Sequence, residues 1–260
     1  MEPLGKNIGG YRGDTIGLPN VLLEIERAAV GKNWTREFTP LPSSTPERPL
    51  DFIAYRRLPA EPRHHVYVST GIHGDEPAGP LAALQLLKED HWPADTAIWL
   101  CPCLNPTGFS LNRRENYQGI DLNRDYRHFE SEEVRAHVAW LKQQPHFDIT
   151  LCLHEDWESH GFYVYEVNPD NRPSRAEKIV EAVAKVCPIE YAAMVDDWPA
   201  EKGIIRPRIN PEERPKWPEA LYLVTNKTRL GYTLEAPSDF PLPVRVAALV
   251  TGVRAALQSL

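Results

Sequence analysis

Residues 66–76 read Val-Tyr-Val-Ser-Thr-Gly-Ile-His-Gly-Asp-Glu, an apolar run that gives way to polar residues. The first four residues predict a buried β-strand. His73 and Glu76 then lie in the segment that leads out of this strand. Because sites in open α/β sheets form beyond the carboxyl ends of strands, this stretch indicates both a fold class and the position of a site.

Short apolar runs alternate with helical patterns along the rest of the chain. They predict strands at residues 52–55, 97–100, 149–153, 162–167, 221–225 and 232–234, and helices at residues 21–28, 81–88, 134–141, 174–183 and from about 243 to 257. This alternation predicts an α/β fold, a three-layer α/β/α sandwich with a mixed, mostly parallel sheet. We expect one domain over residues 1–260 and a long loop at residues 196–218, where periodicity is weak.

Composition excludes several classes of function. The 260 residues include 29 Lys and Arg and 36 Asp and Glu, for a net charge of −7, which argues against nucleic acid and anionic membranes as partners. Residues 1–14 lack the apolar core of a secretion signal, which predicts a cytoplasmic protein. Cys101, Cys103 and Cys152 read as buried, reduced thiols, and a metal site at Cys101-Pro102-Cys103 is the less favoured alternative.

Three strand ends deliver the residues of a catalytic zinc site. His73 and Glu76 follow the strand at residues 66–69, and His154 follows the strand at residues 149–153. Two imidazoles and one carboxylate form a known catalytic zinc set that leaves one position for water. Glu235, at the end of the strand at residues 232–234, is the candidate general base and acid. We therefore expect one zinc ion per chain.

The motifs Gly-Ile-His-Gly-Asp-Glu (71–76), Asn-Pro-Thr-Gly (105–108), Arg-Arg-Glu-Asn-Tyr-Gln-Gly-Ile-Asp-Leu-Asn-Arg (113–124), Leu-His (153–154) and Tyr-Thr-Leu-Glu-Ala-Pro (232–237) follow one another in a characteristic order. In this order the chain resembles the metallocarboxypeptidases of the carboxypeptidase A superfamily. It is most similar to the small bacterial murein peptide amidases. The resemblance covers residues 65–237 and implies the zinc carboxypeptidase-like fold.

The resemblance implies a role for each matched residue. It assigns metal binding to His73, Glu76 and His154, oxyanion stabilisation to Arg114, substrate-carboxylate binding to Asn123 and Arg124, and general base and acid catalysis to Glu235. A cation beside the scissile carbonyl is also what a tetrahedral oxyanion requires on chemical grounds.

Several residues keep two interpretations. Arg113 is the alternative to Arg114, and Tyr222 reads either as a tyrosine over the substrate or, more simply, as a core residue. Glu155, Asp156 and Glu158 read as surface carboxylates or as partners that orient the His154 imidazole. Arg206 and Arg208 read as solvated loop cations, with recognition of an acidic substrate side chain as the alternative.

These observations predict a zinc-dependent metallocarboxypeptidase that hydrolyses an amide bond next to a free carboxylate in small peptides. Analogy with the murein peptide amidases suggests murein peptides as one substrate pool. The alternative is an N-acyl amino acid deacylase of the aspartoacylase or succinylglutamate desuccinylase type, which shares the zinc motif, although Asn-Pro-Thr-Gly and Leu-Glu-Ala-Pro favour the peptidase branch. A binding module on the same fold is a third hypothesis, against which the four retained site residues argue.

Overall fold

The structure is a computed structural model that describes residues 2–7, 14–43, 50–258 and 260. Its helices are α1 (Leu18–Ala29), α2 (Ala78–Glu89), α3 (Pro106–Leu111), α4 (Glu132–Gln143), α5 (Ala176–Val183), α6 (Glu219–Asn226) and α7 (Leu242–Leu257). Its strands are β1 (Trp34–Pro40), β2 (Asp51–Arg57), β3 (His64–Thr70), β4 (Thr96–Cys101), β5 (Ile149–Asp156), β6 (Tyr163–Val167), β7 (Met194–Val195), β8 (Trp198–Glu201), β9 (Ile204–Ile205) and β10 (Gly231–Pro237).

The strands form one mixed sheet in the order β1-β2-β4-β3-β5-β10-β6-β9-β8-β7. Parallel pairing joins β4, β3, β5 and β10 in the centre and recurs between β6 and β9. The remaining pairs are antiparallel, so the parallel share of the sheet is smaller than the sequence predicts. The central parallel strands bring the ends of β3, β5 and β10 to one edge, where the candidate site residues lie.

Helices cover both faces of the sheet, which confirms the three-layer prediction. One apolar core lies between the sheet and α1, α2, α5 and α7, and the second lies between the sheet and α4 and α6. The strands of the centre are buried on both faces, which explains why they read as continuous apolar runs. The four cysteines are buried free thiols, in agreement with the sequence.

Local sequence signals explain several element boundaries. Pro19 lies in the first turn of α1, where its missing N–H costs nothing. Ser131 caps α4 by accepting a hydrogen bond from the Val134 N–H, and two glutamates occupy the first turn. Asn105 caps α3 in the same way, through the N–H of Gly108.

Two sequence predictions were wrong. Residues 221–225, predicted as a strand, belong to helix α6, because a short, mostly apolar run fits a buried helix as well as a strand. Residues 196–218, predicted as a loop, contain β8, β9 and a 3-10 turn at Pro211–Glu213. The strand β1 was not predicted, because its residues alternate little in polarity and stay mostly solvent-accessible.

The segment 196–218 is tied to the body of the protein at its middle and in its second half. In the middle, Arg206 pairs with Glu166 and Glu177 at 2.6 and 2.5 Å. Further along the segment, Arg127 donates hydrogen bonds to backbone carbonyls of residues 211, 212 and 214. The segment therefore forms a fixed wall beside the sheet edge.

Among the described residues, no helix has the length and apolar character required to cross a membrane.

Candidate active site

His73, Glu76 and His154 converge at the carboxyl edge of the sheet. His73 and Glu76 lie in the segment between β3 and α2, and His154 lies near the end of the neighbouring strand β5. All three are buried, with exposed fractions of 2, 6 and 4%. One ligand atom from each lies within 4.8 Å of the other two, and this is the one such cluster found within the described part of the chain.

The donor atoms of this cluster fit a metal ion. Nδ1 of His73 lies 2.5 Å from Oε1 of Glu76, and Nδ1 of His154 lies 3.2 Å from Oε2. The Oε2 atom is nonetheless buried without a hydrogen bond. A buried carboxylate oxygen that faces an imidazole nitrogen and lacks a donor is suited to a cation. Burial alone would raise the pKa of Glu76, but the charges of His73 and His154 outweigh it and hold that pKa well below its usual range.

Asp121 lies behind the metal cluster and contacts both His73 and Arg114. Its Oδ1 atom lies 3.3 Å from Nε2 of His73, and its Oδ2 atom accepts a hydrogen bond of 3.0 Å from Nε of Arg114. Burial would raise the pKa of Asp121, yet His73 and Arg114 together lower it. Asp121 belongs to the motif at residues 113–124, but the sequence analysis gave it no role.

Arg114 and Arg113 point to different partners. Nη1 of Arg114 lies 3.3 Å from Nδ1 of His73 and 3.9 Å from Oε1 of Glu76, directly beside the metal cluster. The guanidinium of Arg113 instead donates to the backbone carbonyl of Asn116. Arg114 therefore lies beside the metal cluster, whereas the guanidinium of Arg113 is held by its own loop.

Gly74 and Asn105 bring the loops that carry His73 and Arg114 together. A Cβ atom on Gly74 would lie 2.1 Å from the carbonyl carbon of Gly108 and 2.6 Å from the carbonyl oxygen of Arg113, so only glycine fits. The Asn105 side-chain amide donates hydrogen bonds to the carbonyls of Ile72 and Arg114, at 3.2 and 3.1 Å. These contacts fix the distance between the metal cluster and the arginine.

Glu235 lies on β10, next to His154 on one side and Tyr163 on the other in the strand register. Residues paired across neighbouring strands face the same side of a sheet, so all three side chains face the cleft. Burial raises the pKa of Glu235 well above its usual range; His154 opposes this shift, and Glu76 and Asp156 add to it. The structure therefore places the carboxyl group of Glu235 on the strand next to the one that carries His154, where the sequence predicts the general base.

Asn123 and Arg124 lie in the 3-10 turn Leu122–Arg124 and line the cleft. Oδ1 of Asn123 accepts a hydrogen bond of 2.9 Å from the N–H of Glu219, which leaves its NH2 group for a ligand. Nη1 of Arg124 donates to the carbonyl of Asn123. Both residues present donors to the cleft, as the binding of a substrate carboxylate would require.

The cleft has a volume of about 1190 Å³ and extends from the metal cluster to the segment 196–218. Its far side contains two tyrosine–aspartate pairs that the sequence analysis missed, Tyr163–Asp156 at 3.0 Å and Tyr165–Asp196 at 2.7 Å. The Tyr-x-Tyr alternation on β6 was the available signal, since period two places both rings on one face.

Three alternatives from the sequence are corrected or narrowed. Tyr222 is buried on α6 and packs against Tyr126 and Phe129, so it is a core residue. Arg206 is held by Glu166 and Glu177 rather than directed at the cleft. Glu155 is neither a surface carboxylate nor an imidazole partner, because it is buried on the face of β5 opposite His154.

A model of the succinylglutamate desuccinylase/aspartoacylase catalytic domain matches residues 62–202, a little over half of the chain. The chain belongs to this family. The succinylglutamate desuccinylase/aspartoacylase family consists of hydrolytic enzymes. The match includes the metal cluster and Arg114 and ends before Glu235.

Solved structures share the fold. A candidate metallopeptidase from Shewanella baltica OS155 is 24% identical, with a TM-score of 0.75 over 93% of this chain and 91% of that one. A metallo-carboxypeptidase from Pseudomonas aeruginosa, in complex with (2-guanidinoethylmercapto)succinic acid, is 20% identical, with a TM-score of 0.65 over 94% of this chain and 69% of that one. These similarities show that the protein has the metallocarboxypeptidase fold.

Carboxypeptidase SOL1 of Arabidopsis thaliana is 30% identical over 104 residues. The similarity takes in 32% of this chain and 21% of the plant protein, so this family member matches about a fifth of its curated relative.

Proposed function

We propose that the protein is a zinc-dependent hydrolase that cleaves an amide bond next to a free carboxylate in small peptides. One arrangement carries the proposal: the cluster of His73, Glu76 and His154 opens on the cleft that Arg124 also lines. A metal centre and a carboxylate-binding arginine in one cleft suit a substrate whose scissile bond lies close to its charged end.

His73, Glu76 and His154 would hold the zinc ion. Zinc in such a site polarises a carbonyl group and makes bound water acidic. Glu235 takes a proton from the attacking water and later delivers it to the leaving amine. Arg114 stabilises the negative charge that develops on the carbonyl oxygen, and Asp121 fixes the direction of its guanidinium. Asn123 and Arg124 hold the substrate carboxylate.

A second candidate function is an N-acyl amino acid deacylase, which the family match at residues 62–202 favours. The two functions use the same metal cluster and Glu235. They differ in whether the recognised carboxylate belongs to the amine side or the acyl side of the scissile bond. The carboxypeptidase named for the Pseudomonas structure supports the peptidase reading, which we prefer.

We further propose a cytoplasmic enzyme that acts on small peptides, murein peptides among them, without nucleic acid or membrane as partner. The net charge of −7 supports the part of this proposal that concerns nucleic acid and anionic membranes. The murein peptides rest on the resemblance to the murein peptide amidases.

Metal analysis and hydrolysis of a substrate panel test the proposal. The panel contains dipeptides, γ-glutamyl–diaminopimelate peptides and N-acyl amino acids, each with and without chelator. We expect one zinc per chain and chelator-sensitive release of a C-terminal residue. Glu235→Gln should bind zinc normally and lose roughly 10²- to 10⁴-fold in rate. Activity on N-acyl amino acids alone would establish the deacylase, and protein without stoichiometric metal would overturn both candidates.

A further inference from the structure

Glu155 and Arg245 form an ion pair inside the protein, and the proposed reaction uses neither residue. Their side chains are 0 and 1% exposed, and Nη1 of Arg245 donates to Oε2 of Glu155. Arg245 also pairs with Asp14. Burying two charges is costly, and an ion pair in such a place is weak evidence for stability by itself.

The contacts of Glu155 reach the segments that carry His154, Glu76 and Glu235. Glu155 directly follows His154 on β5. Its Oε1 atom accepts a hydrogen bond of 2.5 Å from the N–H of Ala78, two residues after Glu76. Its Oε2 atom accepts a weaker hydrogen bond, at 3.4 Å, from the hydroxyl of Ser238, three residues after Glu235.

The Ala78 N–H is the first of helix α2, which has no side-chain cap of its own residues. A carboxylate is favourable at this helix end because it satisfies a free N–H and complements the helix dipole. The carboxylate also lies on the sheet face opposite the metal cluster, since neighbouring residues of a strand point to opposite faces. Glu155 thus fixes the backbone of β5 to that of α2 from behind.

We infer that Glu155, held by Arg245, is a positioning residue that sets the separation between the ligands His154 and Glu76. This inference rests on the proposed metal centre. On this inference the buried pair maintains the geometry of the metal site rather than the overall stability of the fold. Glu155 acts by holding the backbone of β5 and α2 together, and not by contact with the imidazole ring of His154.

Replacement of both charges separates these roles. The double variant Glu155→Leu with Arg245→Met removes the pair without leaving a lone buried charge, and such replacements are often neutral for stability. The matched control is Glu166→Leu with Arg206→Met, which removes another ion pair with a buried glutamate but touches no ligand-bearing segment. Glu155→Asp keeps the charge, but it is one methylene too short to reach both Ala78 and Arg245.

Zinc affinity of the apoprotein, measured by competition with a chromophoric chelator, is the first readout, and the absorption spectrum of the cobalt(II)-substituted protein is the second. We expect the double variant to bind zinc roughly 10- to 100-fold more weakly, the loss typical for residues that support metal ligands. We expect Glu155→Asp to lose about 10-fold, with a changed cobalt spectrum in both, and the control to match wild type.

A folded double variant with wild-type zinc affinity and cobalt spectrum would overturn the inference. If the double variant does not fold, Glu155→Asp decides alone, and wild-type affinity in that variant would overturn the inference equally. These results differ from a failure of the proposed function, in which the wild-type protein itself would take up no zinc and the inference would fall with it.

Discussion

Asp121 lies behind His73, with its Oδ1 atom 3.3 Å from Nε2 of the imidazole ring. The same carboxylate holds Arg114. We predict that Asp121→Asn weakens zinc binding roughly 10- to 100-fold, because carboxylates of this kind orient the ligand ring and raise its basicity. It should also slow turnover at saturating zinc, since Arg114 loses its charged partner. Metal titration and kinetics check the two effects separately; full zinc affinity in the variant would contradict the first.

The two adjacent arginines should behave differently. Arg114→Met is expected to lower kcat roughly 10²- to 10³-fold with zinc content unchanged, the usual effect of removing an oxyanion donor. Arg113→Met serves as the control, because the guanidinium of Arg113 donates to the loop carbonyl of Asn116 and not to the metal cluster. Steady-state kinetics on both variants provide the measurement. A larger kcat loss in the Arg113 variant would reverse the assignment.

Gly74 should not tolerate a methyl group. In Gly74→Ala the new Cβ meets backbone atoms of residues 108, 109 and 113 at 2.1–2.6 Å, and none of these can rotate away. We expect a loss of about 3 kcal/mol in unfolding free energy, at the upper end for overpacking. Gly17→Ala is the control, since its Cβ meets only a side-chain atom at 3.4 Å. Chemical denaturation of both variants decides, and equal stabilities would refute the close approach.

Arg124 should act on the charged end of the substrate. Arg124→Met is expected to raise KM roughly 10- to 100-fold for substrates with a free carboxylate. Amidation of that carboxylate should cost the wild-type enzyme a similar factor and cost the variant little more, because the interaction is already lost. Arg208→Met is the control. If the Arg124→Met variant loses the full additional factor on the amidated substrate, the two losses are additive, and Arg124 binds another part of the substrate.

His137 makes the stability of the protein depend on pH. It lies buried between the hydroxyl groups of Tyr67 and Tyr126, at 2.8 and 2.7 Å. Tyr67 donates its own proton to Glu219, so it accepts the Nε2–H proton of a neutral imidazole. Burial lowers the pKa of His137 to about 3.

The unfolded chain, with a histidine pKa near 6.5, therefore binds a proton between about pH 3 and 6.5 that the folded protein does not. This contribution to stability is present above pH 6.5 and is lost as the pH falls. Between pH 7 and 5 it amounts to about 2 kcal/mol. Denaturant unfolding of wild type and His137→Gln at both pH values measures it, and equal pH dependence in the two proteins would contradict the prediction.

The sheet and the metal cluster were predictable because strong, local signals encode them. The apolar run before His73 and the motif order around Arg114 fix strand ends and donor types with no knowledge of tertiary contacts. The helix at residues 219–226 was not predictable in this way, because the Leu-Tyr-Leu-Val-Thr run fits two structures and its burial against Tyr126 decides between them.

Other features depend on contacts that no local pattern carries. From the sequence, Glu155, Asp156 and Glu158 are indistinguishable acidic residues after His154. The pleat of β5 and the ion pair with Arg245 are what give Glu155 a role of its own. Asp121 is similar, since its role follows from a contact with His73, which lies 48 positions earlier in the chain. The roles of such residues can be recognised only from the folded structure, in which the strands and loops lie together.

The wall formed by residues 196–218 has a thermodynamic consequence for recognition. Arg127 and Arg206 tie the segment to the rest of the fold through contacts within the protein. Its conformational entropy is therefore lost when the chain folds rather than when a peptide arrives, and binding is spared that cost. The cleft therefore selects substrates by their fit to a wall whose conformation the fold has already set.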